Sequence, residues 1–138
     1  MISQYSRPIR IVLAVLYAVG ALVHLYFSLF TPELYEVFVE MALVDAYRVL
    51  WLSYVVPNLH VLLPAVIVFE AGIAALLLWR GRVVTVANVA GGCFQLGLVL
   101  SGPWGLLNLG LAAVHFALAR VEFRESAVAR RGADDAES

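Results

Sequence analysis

Residues 62–79 read LLPAVIVFEAGIAALLLW, an apolar run whose one ionisable side chain is Glu70. A carboxyl group can give or take a proton, but a charge at a bilayer centre costs about 2.5–3.5 kcal/mol on insertion scales. Such a residue needs a partner and is by default a functional candidate. His24 is the expected partner, because imidazole changes charge near neutral pH and His24 also lies within an apolar run. The two are expected to share one proton as a coupled unit, serving as catalytic acid and base. Tyr17, Gln95, Asn108 and His115 add a hydroxyl, two amides and a second imidazole, all able to hydrogen-bond a ligand. Intramembrane Asn, Gln and His also serve as glue between helices, at about 0.6–2 kcal/mol each. Glue does not require a carboxylate, and this sets Glu70 apart.

The elements that hold these residues are apolar and long. The chain has 138 residues, 63% hydrophobic and 14% charged, against about 45–50% apolar and about 25% charged in soluble domains. Four runs, about 9–30, 58–79, 83–100 and 104–121, have roughly the 17–25 residues that a helix needs to cross a bilayer. All nine basic side chains are arginines. Arg7 and Arg10 precede the first run, Arg80 and Arg82 separate the second and third, and Arg120, Arg124, Arg130 and Arg131 follow the fourth. Only Arg48 lies in the other set of gaps, which is the positive-inside pattern for a multi-pass cell-membrane protein with both termini cytoplasmic. The expected fold is all-α: a four-helix transmembrane bundle with an amphipathic outer segment between spans one and two. Residues 1–122 form the membrane domain, and 123–138 are expected to be a disordered cytoplasmic tail. The net charge of −1 argues against a nucleic-acid partner. The single cysteine, Cys93, excludes an intramolecular disulfide and reads as packing.

In the outer segment, Thr31-Pro32 ends the first run. Glu33, Glu36 and Glu40 then share one helical face, and Leu34, Val37, Phe38 and Met41 the other. The spacing predicts a surface helix over 33–44 with Phe38 and Met41 buried. The run 49–56, VLWLSYVV, is too short to cross, and a fifth span over 43–56 would bury Asp45 and Arg48.

A rise of about 1.5 Å per residue puts Glu70 roughly 15 Å, Asn108 roughly 18 Å, Gln95 roughly 19 Å and His24 roughly 21 Å from the arginine-marked end. One polar group from each span thus falls in a layer about one helical turn thick. The faces agree: Tyr17, Gly20, His24 and Ser28 share a side, as do Thr85, Asn88, Gly92 and Gln95, and Asn108, Ala112 and His115. Gly91, Gly92 and Gly110 allow helices to approach closely. His115 is only about 8 Å from the same end, so a single haem between His24 and His115 is not expected. No Glu-x-x-His pair, zinc-protease motif, P-loop or dinucleotide fingerprint occurs. Neither metal nor haem is expected.

Three stretches carry a family resemblance. GALVHLYFSLFTPELY at 20–35 resembles the start of DoxX-like membrane proteins, where a span with a histidine is followed by a proline and a tyrosine. VVPNLH at 55–60 resembles the proline-containing start of their second span, and VFEAGIAALLLWRGR at 68–82 is similar to the stretch around its glutamate. The resemblance covers about 20–100 and weakens in the fourth span. It implies a four-helix membrane bundle in which His24 and Glu70 are the polar pair of the first two spans. It further implies an accessory subunit of a quinone-linked oxidoreductase assembly, with a redox partner or homo-oligomer, rather than an enzyme acting alone. A quinone or similar lipid is then the expected ligand. A weaker similarity to the sterol-isomerase and sigma-2-like four-helix family implies instead a sterol-like ligand with Glu70 as acid/base. A structural assembly subunit, its polar layer fixing helix register, is the third reading.

Overall fold

The computed structural model describes residues 2–128, with side chains from residue 5 onward. The fold is all-α, with no strand among the described residues. Helix α1 spans Ile2–Phe30, α2 Leu34–Val39, α3 Asp45–Leu50, α4 Leu59–Leu78, α5 Arg82–Gly97 and α6 Gly105–Leu118. Helix α1 packs along α4, α4 along α5, and α5 along α6.

The 43–56 segment, not expected to be a span of its own, extends the second apolar helix instead. Helix α3 runs through a π-helical turn, Trp51–Val55, and a 3₁₀ turn, Val56–Asn58, directly into α4. Pro57 explains the irregularity, since it lacks an N–H and its ring clashes with the carbonyl one turn back. The backbone widens before Pro57 and tightens around it, and the Asn58 side-chain amide donates to the Tyr54 carbonyl at 2.6 Å. Asp45 and Arg48 stay at the surface end of this run, paired with each other at 3.0 Å.

Two helices are long and apolar enough to cross a membrane: Tyr5–Phe30, with 26 residues, and Asp45–Leu78, with 34. Only 22% and 28% of their most apolar windows is buried, whereas the core helix of a soluble protein is mostly buried. Their outward faces carry Val12, Val15, Leu22, Leu29 and Val68, all more than half exposed. Exposed apolar surface on this scale marks contact with lipid or a partner. The expected third and fourth spans, 83–100 and 104–121, are shorter as helices. With 16 and 14 residues they reach only about 24 and 21 Å. The missing turns go into the connection between them: Leu98, Val99 and Ser101 make tight turns, and the Leu43 N–H donates to the Leu100 carbonyl at 3.1 Å. That bond ties the outer segment to the α5–α6 corner.

The surface helix is also shorter than the expected 33–44. It buries Tyr35 and Val39, and leaves Phe38 half-buried and Met41 40% exposed. Two of its turns after Val39 are single-turn bonds that steer the chain toward Gly102 rather than continuing the helix.

The apolar core lies toward the end of the bundle where α1 begins and α6 ends. It comprises Leu13, Ala14, Tyr17, Ile73, Ala74, Leu77, Val84, Ala87, Leu118 and Phe123. Beyond it, Arg10 is 3% exposed. Its guanidinium donates to the Leu77 carbonyl at 2.8 Å, to the Trp79 carbonyl and to the Glu125 carbonyl at 3.3 Å, and lies 4.7 Å over the Phe123 ring. Helix α4 ends in carbonyls with no partner inside the helix, and a cation there satisfies them and complements the helix dipole. Residues 123–128 are consequently not part of a disordered tail. Phe123 and Ala127 are buried, the Ala127 N–H donates to Leu78, and Arg7 donates to the Ala127 carbonyl at 2.8 Å. The rest of that expected tail, 129–138, lies outside the described residues.

Candidate functional site

On α1, Tyr17, Gly20 and His24 recur at spacings of three and four residues and so lie on one face. That face meets Glu70 on α4. The His24 Nε2 atom is 3.9 Å from Glu70 Oε1, so the expected pair is brought together, just beyond hydrogen-bond distance. Gly20 makes the meeting possible, because a Cβ there would lie 2.9 Å from Glu70 Oε1. The other nitrogen of His24, Nδ1, lies 2.6 Å from the Tyr35 hydroxyl, and the two rings stack at 5.9 Å. Tyr35, Phe27 and Phe38 form an aromatic cluster that fixes the phenol. Burial, and secondarily the charge of Glu70, push the Tyr35 phenol up to about 12.

Two cavities meet at this pair. The inner one, of about 270 Å³, is lined by Glu70, Tyr17, Gln95 and Asn108 together with Leu107 and Phe94, among others. Four of the expected site residues therefore share one chamber. Gln95 donates to the Tyr17 hydroxyl at 3.2 Å, which donates to the Gly91 carbonyl at 3.3 Å. Asn108 donates to the Leu98 carbonyl at 3.1 Å. Two buried oxygens remain without a hydrogen bond, Glu70 Oε2 and Gln95 Oε1. Leaving such an atom unpaired costs about 1–3 kcal/mol, so this chamber has unused capacity for a ligand with polar hydrogens. The outer cavity, of about 170 Å³, is an aromatic vestibule beneath α2, with His24, Tyr35, Tyr47, Trp51 and Trp104 on its walls. His24 lines the vestibule and Glu70 the inner chamber.

His115 is not brought to the chamber. It is fully buried between α5 and α6, its Nδ1 3.1 Å from Asn88 Oδ1. Asn88 donates from its amide nitrogen to the Val84 carbonyl at 2.8 Å, so its oxygen is the acceptor and His115 Nδ1 carries the proton. The His115 ring meets Tyr17 edge-on at 5.5 Å, and its Nε2 has no hydrogen bond. Gly91 leaves room for both rings. Two participants escaped the residue-type reading: Tyr35 and Trp51. Gly20 was placed on the His24 face by spacing, but its role in seating Glu70 comes from the structure. Tyr35 lies eleven residues from His24 across a proline, beyond any helical periodicity.

No protein-family model, curated protein or solved structure matches the chain. The chemistry available is that of a carboxyl, an imidazole and a phenol in series, ending on an apolar chamber with a few polar groups. This arrangement suits moving protons at a lipid-soluble molecule.

Proposed function

We propose that the protein is a DoxX-like membrane protein whose four-helix bundle holds the ring of a quinone, or a similar lipid, beside Glu70. In this reading it is an accessory subunit of a quinone-linked oxidoreductase assembly in the cell membrane, with both termini cytoplasmic. The observation that carries the reading is the inner chamber with two unpaired buried oxygens, Glu70 Oε2 and Gln95 Oε1. A hydroquinone presents two hydroxyl donors across one ring, and the walls offered by Leu107, Phe94 and Leu111 are those an aromatic ring fits. At about 270 Å³, the chamber is near the lower limit of ligand pockets, about 300–1,000 Å³. It therefore suits the head-group, with an isoprenoid tail left in lipid. When bound, a quinone would exchange two electrons with a redox protein partner. Glu70 would take or give the two accompanying protons one at a time, Gln95 and Asn108 would orient the ring, and the aliphatic walls would exclude water.

The test is binding of a short-tailed benzohydroquinone analogue, kept reduced, to the purified protein in nanodiscs, followed by quenching of tryptophan fluorescence. Glu70→Gln is expected to weaken binding about tenfold or more, since a hydrogen bond to a charged group contributes about 1.5–3 kcal/mol. Equal affinity in the two proteins would overturn the reading. Copurification of a sterol-like lipid in place of a quinone would favour the receptor alternative.

A further inference from the structure

The protein is closed at one end and open at the other around Glu70, and this asymmetry bears on where its proton goes. Toward the Arg10 end, the buried residues that follow Glu70 on α4 are Ile73, Ala74 and Leu77. They pack with Leu13 and Ala14 of α1, Val84 and Ala87 of α5, and Leu118 of α6. Leu77, Val84, Ala87 and Leu118 are all 0% exposed. The Arg10 clasp and Phe123 lie over this plug. His115 and Asn88 lie within it, but their hydrogen bonds end on the Val84 backbone carbonyl. A backbone carbonyl takes no proton at ordinary pH, so that line leads nowhere.

Toward the opposite end the sequence of groups is different. Glu70 has 8% of its side chain exposed and His24 has 28%. His24 is in turn bonded to Tyr35, and both line the vestibule. The vestibule also carries the Ser101 and Tyr47 hydroxyls and the indole N–H of Trp51, which has no protein partner. A cavity of this size with several polar groups is suited to hold water. The wall around Trp51 is a π-helical turn, a feature frequent at functional sites. Among the described residues, His24 is the one ion-pair partner of Glu70. The other polar groups facing the chamber, Tyr17, Gln95 and Asn108, each donate a hydrogen bond to protein, and none of them leads to the Arg10 end.

We propose that Glu70 exchanges its proton only with the end of the bundle opposite the Arg10 clasp, through His24 and Tyr35 and the vestibule. The step balances in a simple way. A hydronium ion in the vestibule gives a proton to the Tyr35 oxygen, leaving neutral water, as the phenol proton passes to His24 Nδ1. The proton on His24 Nε2 then passes to Glu70 Oε1, and the reverse sequence releases it. The 3.9 Å gap closes to hydrogen-bond length, about 2.7–3.2 Å, by a movement of the His24 ring toward Glu70. With the expected orientation, protons taken up or released at the chamber belong to the outside of the cell. The inference deepens the quinone reading by assigning the side of proton exchange, and it rests on that reading only for what the proton serves.

The test uses deuterium exchange of the Glu70 carboxyl, read by infrared spectroscopy on the full chain in nanodiscs at acidic pH. The band is assigned by its loss in Glu70→Gln. With Cys93→Ala as background, Met41→Cys is labelled with a bulky maleimide to obstruct the vestibule. Glu122→Cys is labelled likewise at the plugged end. Exchange is expected to slow by about tenfold or more with the Met41→Cys adduct, and to be unchanged with the Glu122→Cys adduct. Tyr35→Phe, which keeps the ring and removes the hydroxyl, is expected to slow it similarly. Unchanged exchange in both the Met41→Cys adduct and Tyr35→Phe would overturn the route, as would slowing by the Glu122→Cys adduct. Because no quinone is present, failure of quinone binding leaves this result intact, and the reverse also holds.

Discussion

The Glu70 carboxylate fills the space left by the missing side chain of Gly20: a Cβ there would lie 2.9 Å from Oε1 and 3.2 Å from both Cδ and Oε2. Glycine in a helix interior costs about 1 kcal/mol relative to alanine. Position 20 therefore carries a local penalty whose return is the seating of a carboxylate next to His24.

Gly20→Ala separates the two effects. The atoms in conflict belong to the end of a flexible side chain, so the helix is expected to survive and even to gain from the alanine. Glu70 must swing away from His24, and quinone-analogue affinity is expected to fall about tenfold. In the Glu70→Ala background the same change at position 20 is expected to leave stability equal or higher. A double-mutant cycle on thermal unfolding and binding checks this. Identical binding by Gly20→Ala and the parent protein would refute the proposed seating.

Much of the site was legible because helical periodicity is a short-range rule. Tyr17, Gly20 and His24 share a face by spacing alone, and Glu70 stands out in its run by charge alone. Depth counted along straight helices grouped Glu70 with Gln95 and Asn108, which line one chamber, and with His24, which lines the vestibule instead; His115, expected among the ligand-binding residues, lies outside the chamber. The outer segment was not legible to the same degree. Its Glu/apolar alternation suggests a helix to residue 44, but the chain leaves helical geometry after Val39 to reach the α5–α6 corner through Leu43 and Leu100. Such a tertiary tie has no signature in local pattern. The continuity of Asp45–Leu78 was hidden by Pro57, which reads as a break and instead produces a π turn and a 3₁₀ turn inside one helical run.

Glu70 itself offers a contrast between two substitutions. Glu70→Gln keeps the shape and is expected to leave folding intact while weakening ligand binding. Glu70→Leu removes a buried polar group with an unpaired oxygen. It is expected to abolish binding and to raise thermal stability by about 1–2 kcal/mol. Thermal unfolding in nanodiscs distinguishes them; a Glu70→Leu protein markedly less stable than Glu70→Gln would show that the carboxylate holds the bundle together.

Tyr35 makes a prediction in alkaline solution. Its folded value of about 12 exceeds the ordinary phenol value of about 10. The stability tied to this difference is fully present below about pH 10 and is lost as pH rises through about 12, because the unfolded chain sheds the proton first. Unfolding temperature is therefore expected to drop over that window, and to drop less in Tyr35→Phe. Ultraviolet titration of tyrosinate, with Tyr35→Phe as the difference, follows the same group directly. Ionisation of Tyr35 near the ordinary value would show that the phenol is not enclosed by Phe27 and Phe38.

Arg10 is expected to hold the plugged end shut by shape as well as charge. Its guanidinium reaches carbonyls of Leu77, Trp79 and Glu125 and covers Phe123 at once. An ammonium keeps the charge but lacks the planar fork that serves several acceptors. Arg10→Lys is thus expected to destabilise the protein by about 2–3 kcal/mol, with carbonyls of a buried helix end left unpaired. The loss should be local before it is global. Residues 122–128 are expected to become open to protease, while the His24–Glu70 pair, at the other side of the plug, keeps its geometry and its quinone-analogue affinity. Limited proteolysis with mass mapping, run beside the binding assay, reads both outcomes. Full protection of 122–128 in Arg10→Lys, at unchanged unfolding temperature, would mean that the apolar contacts of Phe123 and Ala127 suffice to close the bundle without the clasp.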